Sequence, residues 1–234
     1  MSSFVSLRPN APMTQPPYDV PAYGSSHKRH PMQKPVSLPH TVTETSGPGF
    51  SPERFPPTAD LSVVNGKPAL GERIVVAGTV TDEDGRPVRD AMIEIWQANA
   101  SGRYQHPGDQ HDAPLDANFR GAGRVFTDGA GRYRFVTVKP GAYPWRNHHN
   151  AWRPNHVHLS FFGPGFAARL ITQMYFPGDP LLALDPIFNS VPDAASRERL
   201  IARFDVDATV PEWALGYRFD VVLRGQTATP MENA

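Results

Sequence analysis

Short apolar runs separated by turn residues dominate the chain downstream of Arg73. Most are rich in β-branched and aromatic residues, and turn formers such as Asp82–Gly85 and Asp128–Gly131 stand between neighbouring runs. Short strands at this spacing favour a sandwich of antiparallel sheets. We therefore predict an all-β fold, an antiparallel β-sandwich with long irregular loops. Its strands are predicted at residues 74–80, 91–96, 124–127, 132–138, 155–162, 170–176 and 217–223.

A single segment, residues 194–204, has the periodicity of a helix. Asp193, which follows a proline, is a suitable N-cap. Leu200, Ile201 and Phe204 fall on one face at helical spacing. We predict one short helix here, which covers the edge of a sheet.

Prolines punctuate residues 1–50, and no amphipathic period survives between them. Isolated, such a segment would be extended or disordered. It also carries Phe4, Tyr18 and Tyr23, for which a solvated linker has little use. We therefore predict an extended Pro-rich N-terminal arm at residues 1–50. It should lie across a neighbouring surface, such as that of another subunit, and residues 51–234 should form one β-sandwich domain.

Composition narrows the classes of function. The 234 residues include no cysteine, which excludes disulfides, thiolate zinc sites, iron–sulfur clusters and a cysteine nucleophile. Basic and acidic residues balance at 23 each, without a basic run, so nucleic acid is not an expected partner. No apolar stretch reaches membrane-spanning length, and residues 1–12 lack the apolar region of a signal peptide. We expect no membrane association and a cytoplasmic location.

His156 and His158 are the sharpest local chemical feature. They flank Val157 in a predicted strand, so both imidazoles point to the same face and form half of a metal site. Taken alone, the pattern fits two structural histidines equally well. No cysteine is present, and no carboxylate follows at the spacing of a facial triad. The sequence therefore lacks the further ligands that zinc or ferrous iron usually binds.

Tyrosine is the remaining source of a hard oxygen donor. A trivalent cation would lower the pKa of a phenol, normally about 10, enough to bind it as phenolate. Two phenolates and a hydroxide would balance the charge of ferric iron, and two imidazoles would complete five ligands. The residues themselves do not choose among Tyr104, Tyr133, Tyr143 and Tyr175.

Several longer motifs resemble the intradiol ring-cleavage dioxygenases. They are VAGTVTDEDGRPV at 76–88, EIWQAN at 94–99, PGAYPWRN at 140–147 and WRPNHVH at 152–158. Further similar segments are TETSGP at 43–48, MYFPGDPL at 174–181 and YRFDVVLRGQ at 217–226. The resemblance covers nearly the whole chain after about residue 20, and the motifs together are specific.

The resemblance implies one iron(III) ion per chain, bound by two tyrosines, two histidines and a hydroxide. Carried onto this sequence, the protein ligands are Tyr104, Tyr143, His156 and His158. It further implies that Tyr143 and His158 are axial and that Tyr104 and His156 are equatorial. On substrate binding, Tyr143 would leave the ion and accept a substrate proton.

Five other residues receive roles from the same resemblance. Arg153 would stabilise negative charge that develops on the substrate, and Gln173 would hold a polar position near it. Trp145 and Ile187 would shape the substrate pocket, and Tyr23, in the arm, would face the substrate. Four other histidines are expected to be exposed loop residues: His106, His111, His148 and His149.

As a function, the resemblance implies oxygen-dependent ring cleavage of protocatechuate (3,4-dihydroxybenzoate) to 3-carboxy-cis,cis-muconate. The chain would be the metal-bearing subunit of a hetero-oligomer of αβ units, paired with an alpha subunit that lacks the iron ligands. Two alternatives stay open. Enzymes that cleave catechol or hydroxyquinol are similar, but they carry a helical N-terminal domain that a Pro-rich arm does not fit. Prealbumin-like β-sandwich binding modules share the Gly-x-Val-x-Asp-x-x-Gly-x-Pro-Val stretch, but they have no reason to hold the four candidate ligands together.

Overall fold

The structure, a computed structural model, describes residues 10–36, 49–146, 151–163 and 169–232. Its strands are β1 (Val63–Val64), β2 (Lys67–Pro68), β3 (Arg73–Thr81), β4 (Met92–Trp96), β5 (Ala122–Phe126), β6 (Arg132–Val138), β7 (Tyr143–Trp145), β8 (Ala151–Arg153), β9 (His156–Phe162), β10 (Arg169–Tyr175), β11 (Arg203–Phe204), β12 (Leu215–Arg218) and β13 (Val221–Val222). The helices in the described ranges are α1 (Ala194–Glu198) and three 3-10 turns at Ser26–Lys28, Pro180–Leu184 and Phe188–Ser190.

One sheet has four antiparallel strands in the order β10-β9-β4-β5. In its register, Trp96, His158 and Gln173 stand side by side across three strands, and Tyr175 stands next to His156. Because residues on neighbouring strands at the same register share a face, this sheet assembles a row of polar and aromatic side chains around the two histidines.

The second sheet is built around β3. Strand β6 pairs with one edge of β3, β12 and β13 pair in succession with the other, and β11 extends the sheet beyond β12. The predicted all-β sandwich is confirmed, and antiparallel pairing holds throughout the first sheet and between β3 and β6. Strands β12 and β13, however, run parallel to β3. Parallel neighbours need a long connection, and residues 82–214 connect β3 to β12.

The main hydrophobic core draws on both sheets. Its members include Ile74, Val76 and Phe135 from the second sheet and Ile93, Ile95, Val157, Leu159 and Phe161 from the first. Each such side chain contributes about 1.5–3 kcal/mol when fully buried. Strand β9 is therefore held in place by its apolar residues, which leaves the alternate positions free for chemistry.

The predicted helix at residues 194–204 is too long. Asp193 caps α1 as expected, since its carboxylate accepts a hydrogen bond from Ser196 N at 2.7 Å, but α1 ends at Glu198. Backbone pairing takes over beyond it: Tyr175 N donates to Leu200 O, and Ala202 N donates to Tyr175 O, both at 2.8 Å. Residues 203–204 then form β11, so Phe204 is exposed instead of lying on a helical face.

The arm, described at residues 10–36, lies on its own domain. Met13 O accepts a hydrogen bond from Asp193 N, Asn10 Oδ1 accepts one from Gly225 N, and Gln15 Oε1 accepts one from Met231 N, at 3.1, 3.1 and 2.8 Å. Contact with another subunit and the domain boundary at residue 50 stay predictions. Within the described ranges, no helix has both the length and the apolar character needed to cross a membrane.

The predicted strand at residues 217–223 is divided into β12 and β13 at an irregular step. Phe219 N still donates to Ala77 O, but at the next position the Asp220 carboxylate accepts the Thr79 N–H at 3.0 Å in place of a carbonyl. Gly78 lies against this step. A Cβ atom there would stand 1.9 Å from Phe219 O, so only glycine fits without a backbone shift.

We expect Gly78→Ala to lower the free energy of unfolding by about 1–3 kcal/mol, the usual cost of forcing extra volume into packed structure. Gly129→Ala is the matched control, because a Cβ atom at Gly129 meets nothing within 4 Å. Urea unfolding of the two variants and the parent chain measures the difference. Equal losses in both variants would contradict the close approach at Gly78.

Candidate metal centre

Strand β9 presents His156 and His158 on the face of its sheet that lies away from the core. Val157 and Leu159 are buried in the main core, and alternation along the strand sends the two imidazoles the other way. The two rings lie 4.9 Å apart between centroids. On one side, Trp96 stacks on His158 with ring centroids 4.9 Å apart and an interplanar angle of 9°. The strand-like placement predicted for the pair is therefore what the structure shows.

Two loops packed backbone to backbone deliver the tyrosines. Gly102 has a positive φ of 79°, and a Cβ atom there would stand 2.2 Å from Ala142 O. A Cβ atom at Gly141 would stand 2.4 Å from Ala100 O. Glycine at both positions lets the loop before Tyr104 touch the loop before Tyr143, which explains why each tyrosine closely follows a glycine.

The four sequence-predicted ligands come together. The hydroxyl oxygens of Tyr104 and Tyr143 each lie 3.4 Å from His156 Nε2. The two phenol rings meet edge to face at 5.4 Å, and the rings of Tyr104 and His158 are 6.3 Å apart. Two phenol oxygens and an imidazole nitrogen thus converge from three separate segments of the chain.

The hydroxyls of the other two candidate tyrosines form hydrogen bonds with other groups. The Tyr133 hydroxyl donates to Phe219 O at 2.6 Å inside the core. The Tyr175 hydroxyl lies 2.9 Å from Gln173 Oε1 and 3.0 Å from Asp185 Oδ2. The structure therefore separates Tyr104 and Tyr143 from the other two, which the residues alone did not.

Both imidazoles have one nitrogen fixed by an acceptor. His156 Nδ1 lies 2.7 Å from Pro154 O, and His158 Nδ1 lies 2.9 Å from Glu232 Oε2. A carbonyl and a carboxylate can only accept, so Nδ1 carries a proton in each ring, and Nε2 is the nitrogen left to bind a metal. This is the arrangement that orients metal-binding histidines.

Burial favours the uncharged forms of Tyr104, Tyr143 and His156 as long as no cation is bound. Burial raises the pKa of Tyr104 well above its ordinary value, and charge on Tyr143 would raise it further. Burial also raises the pKa of Tyr143, against the opposing effect of Arg153. Burial, together with the charge of Arg153, holds the pKa of His156 well below its ordinary value. His156 is therefore an uncharged donor at neutral pH, and both phenols need a strong positive charge to ionise.

The spacing of these atoms fits a shared ion better than it fits hydrogen bonds. Contacts of 3.4 Å between phenol oxygen and imidazole nitrogen exceed the usual range for a hydrogen bond. Ligands at about 2.0–2.1 Å from a metal lie about 2.9–3.6 Å from their neighbours in the coordination shell. The donor set consists of two phenols and two imidazoles. Because phenolate oxygen is a hard donor, this set suits a hard, highly charged ion such as iron(III).

Arg153 is buried beside the cluster and is held from several sides. Its guanidinium pairs with Asp185 at 3.1 and 2.9 Å and donates to Gln173 Oε1 at 2.6 Å. One of its terminal nitrogens also lies 3.4 Å from His156 Nε2. The predicted neighbours Arg153 and Gln173 are thus bonded directly, with the positive charge next to the candidate ligands.

The residues predicted to line a substrate pocket cluster on the side of Arg153. The Trp145 ring lies 5.3 Å from the guanidinium carbon and 5.0 Å from the ring of Tyr23. Ile187 is buried, and its backbone N–H lies 3.4 Å from Asp185 Oδ1. A cavity of about 550 Å³ opens beside the cluster as well; it is lined by Trp96, Gln97, Tyr104, Gln105, His106, Asp109, Gly121, Ala122, Tyr143 and His158. None of Tyr23, Trp145, Arg153 and Ile187 belongs to that lining.

Two acidic residues at the site were missed at the sequence level. Asp185 neutralises Arg153, and Glu232 accepts from His158 Nδ1 and from the Gln173 amide at 2.9 and 2.8 Å. Burial alone would raise the pKa of the Glu232 carboxyl, but the hydrogen bonds from His158 and Gln173 outweigh it and lower the pKa. Glu232 stands 74 residues from its histidine, so no local pattern signals it.

The other histidines behave differently from one another. His106 is exposed as predicted, whereas His111 is half-buried, with its ring edge-on to Trp152 at 6.2 Å. His148 and His149 lie outside the described residues. None of these rings contacts the four candidate ligands within the described part of the chain.

The chain is similar to known dioxygenases along its whole length. A family model described as dioxygenase matches residues 45–225, and one described as the N terminus of the protocatechuate 3,4-dioxygenase beta subunit matches residues 8–41. The protocatechuate 3,4-dioxygenase beta chain of Burkholderia cepacia is 57% identical over the full length of both chains. The protocatechuate 3,4-dioxygenase alpha chain of Pseudomonas putida is 36% identical over 82% of this chain and 95% of its own.

A solved structure is similar as well. The dioxygenase domain of a carbohydrate-binding fusion protein from Streptomyces sp. SirexAA-E is 28% identical and aligns with a TM-score of 0.53 over 76% of this chain and 94% of that domain. From the full-length similarity and the matched family model, the chain belongs to the intradiol ring-cleavage dioxygenases, a family that is iron-dependent in general.

Proposed function

We propose that the chain is the iron(III)-bearing beta subunit of a protocatechuate 3,4-dioxygenase, which cleaves protocatechuate with O2 to 3-carboxy-cis,cis-muconate. The observation that carries the proposal is the convergence of the Tyr104 and Tyr143 hydroxyls on His156 Nε2, at 3.4 Å each. The full-length identity of 57% to a beta chain supports the choice of substrate.

One iron(III) per chain would be held by Tyr104, Tyr143, His156 and His158. The ion would supply the activation of a bound catechol toward oxygen. The protein's part is to fix the orientation of both imidazole rings, through the acceptors Pro154 O and Glu232.

Tyr143 would take a proton from the substrate, which is the role that the family resemblance gives it. Burial raises the pKa of both phenols, and that of Tyr104 more strongly, so either phenolate would be basic once released. The backbone of each tyrosine is held in place, since Tyr143 pairs with Arg153 in β8 and Tyr104 N donates to Asp109 Oδ2 at 2.7 Å. The assignment of Tyr104 as the ligand that stays follows from the resemblance.

Arg153 would stabilise the negative charge that develops on the substrate during ring opening. Arg153 is 2% exposed, so water screens its charge little. Asp185 and Gln173 hold it in one orientation before the reaction, and such preorganised charge is effective because it needs no rearrangement. Tyr23, Trp145 and Ile187 would form the walls against which the ring packs.

The partner would be an alpha subunit of the same enzyme, in αβ units, with the alpha chain contributing to recognition of the substrate carboxylate. An arm that carries Tyr23 next to Trp145 fits a shared active site. The proposal includes the cytoplasmic location expected from the sequence.

Cleavage of catechol or hydroxyquinol is the nearest alternative. Those enzymes carry a helical N-terminal domain, whereas residues 10–36 contain only a three-residue 3-10 turn, and residues 8–41 match the beta-subunit arm. A non-catalytic sandwich module gives no reason for a buried Arg153 or for four converging ligands. The arm therefore favours protocatechuate as the substrate, and the buried site favours an enzyme over a binding module.

We expect the iron-loaded chain, co-purified with its partner, to consume one O2 per protocatechuate and to form the ring-opened tricarboxylate. Specificity for protocatechuate over catechol, measured as the ratio of kcat/KM values, should be at least about 100-fold, because buried groups that bind the carboxylate would be left unpaired by catechol. Oxygen uptake and product absorbance measure both. Faster turnover of catechol or hydroxyquinol would support the alternative enzyme, and no uptake with stoichiometric iron would refute the proposal.

We expect Glu232→Gln to weaken iron binding by about 10–100-fold, the usual effect of removing a group that orients a metal-binding histidine. The variant keeps the size of the side chain but loses the charge that accepts the His158 Nδ1 proton. Iron content at equilibrium with a competing chelator is the readout. Glu53→Gln, at an exposed site, is the control and should bind iron like the parent chain. Equal affinity in both variants would show that Glu232 does not position His158.

A further inference from the structure

A second group of metal-binding side chains lies in the N-terminal arm, with no residue in common with the Tyr–His cluster. Asp19, His27 and His30 each offer one ligand atom, and these atoms all lie within 4.8 Å of one another. His27 Nδ1 and Asp19 Oδ2 lie 3.4 Å apart. Neither sequence patterns nor the proposed ring cleavage account for this group.

The Ser26 side chain holds this arrangement together, and Asp19 takes part in it, since Asp19 Oδ1 accepts a hydrogen bond from Ser26 Oγ at 3.3 Å. Ser26, which is 0% exposed, bonds through its hydroxyl to Val20 N at 2.9 Å and to Val20 O at 3.0 Å, which closes the loop between Asp19 and His27. The 3-10 turn Ser26–Lys28 follows, and His30 N donates to Ser26 O at 2.9 Å. This bond turns the chain back, and the rings of His27 and His30 lie with their centroids 5.2 Å apart.

His30 carries an unsatisfied polar atom. Its Nδ1 is buried and has no hydrogen-bond partner among the described residues. A buried polar group left in this state costs about 1–3 kcal/mol, so one expects a partner that the chain itself does not supply. A cation bound through this nitrogen would offset the cost, and the neighbouring carboxylate and imidazole stand where its other ligands would be.

We propose that Asp19, His27 and His30 form a binding site for a zinc-type divalent cation, separate from the iron centre. Ligands around such an ion, at bonds of about 2.0–2.1 Å, lie about 3.3 Å apart in a tetrahedron. The contact of 3.4 Å between Asp19 and His27 already has that spacing, and the third ligand needs a small closing movement.

The donor set and the local charge select the class of ion. Imidazole nitrogen favours zinc and other late first-row metals, whereas magnesium and calcium prefer several oxygens. The site contributes one carboxylate, and the exposed Lys28 and Arg29 follow His27 directly, so a hard cation held by charge alone would be disfavoured.

The site would act on the arm residue that faces the iron centre. Tyr23 lies within the loop that Asp19 and His27 bracket, and its ring packs on Trp145 with centroids 5.0 Å apart. An ion that tied the two ends of this loop together would fix Tyr23 against Trp145. Only this consequence rests on the proposed ring-cleavage function; cation binding itself does not.

Zinc binding to the full chain, loaded with iron and in complex with any co-purified partner, tests the site. Calorimetric titration with ZnCl2 should show one equivalent that His27→Gln and His30→Gln each weaken by at least about tenfold, since even residues that merely support a metal ligand cost that much. His111→Asn, which removes an imidazole elsewhere on the chain, is the control and should retain that equivalent. Iron content is measured alongside, so that zinc replacing iron is distinguished from binding in the arm.

Tryptic cleavage after the exposed Lys28 and Arg29 gives an independent readout. Zinc far above its dissociation constant should slow this cleavage by at least about tenfold in the parent chain, because cutting requires the loop to open, and should leave His30→Gln unprotected. Failure to bind zinc, or binding and protection that survive in both histidine variants, would overturn the proposal.

Discussion

The packing of one face of β9 into the hydrophobic core is the constraint on which the rest of the site depends. Val157 and Leu159 are both 0% exposed in the core, so the strand cannot rotate or slip without removing them from it. A shift of one residue in register would exchange the two faces and turn the imidazoles of His156 and His158 into the apolar core. The core that stabilises the sandwich and the direction in which the candidate ligands point are therefore fixed by the same contacts.

The buried charged groups around the two histidines are all paired or hydrogen-bonded to one another. A continuous chain of hydrogen bonds runs from Asp185 through Arg153 and Gln173 to Glu232, and from there to His158. Removing one partner of a buried ion pair costs about 3–5 kcal/mol, although an intact pair adds little net stability. The role of the network is therefore to fix the positions of its side chains. It holds Arg153 in one orientation and places a proton on His158 Nδ1. Through Glu232, the C-terminal segment becomes part of the site.

The sequence predicted the strands and the common face of the two histidines well, because apolar alternation directly encodes burial. It predicted the helix at residues 194–204 poorly, since the apolar spacing there also fits a strand, and pairing with β10 and β12 decides the outcome. Chemistry alone did not separate four tyrosines; the hydroxyls of Tyr133 and Tyr175 are engaged in bonds that only the three-dimensional structure reveals. Family resemblance supplied that choice, and neither approach found Glu232, whose partner is distant in the chain.

The visible absorption spectrum of the iron(III)-loaded protein tests the central claim most directly. Two tyrosinates on ferric iron should give a broad charge-transfer band that shifts when protocatechuate is added without oxygen. Tyr104→Phe and Tyr143→Phe should each weaken the band, and Tyr18→Phe, at a tyrosine that is 64% exposed, should leave it unchanged. A protein that holds stoichiometric iron(III) and shows no such band would contradict ligation by Tyr104 and Tyr143, and with it the proposed mechanism.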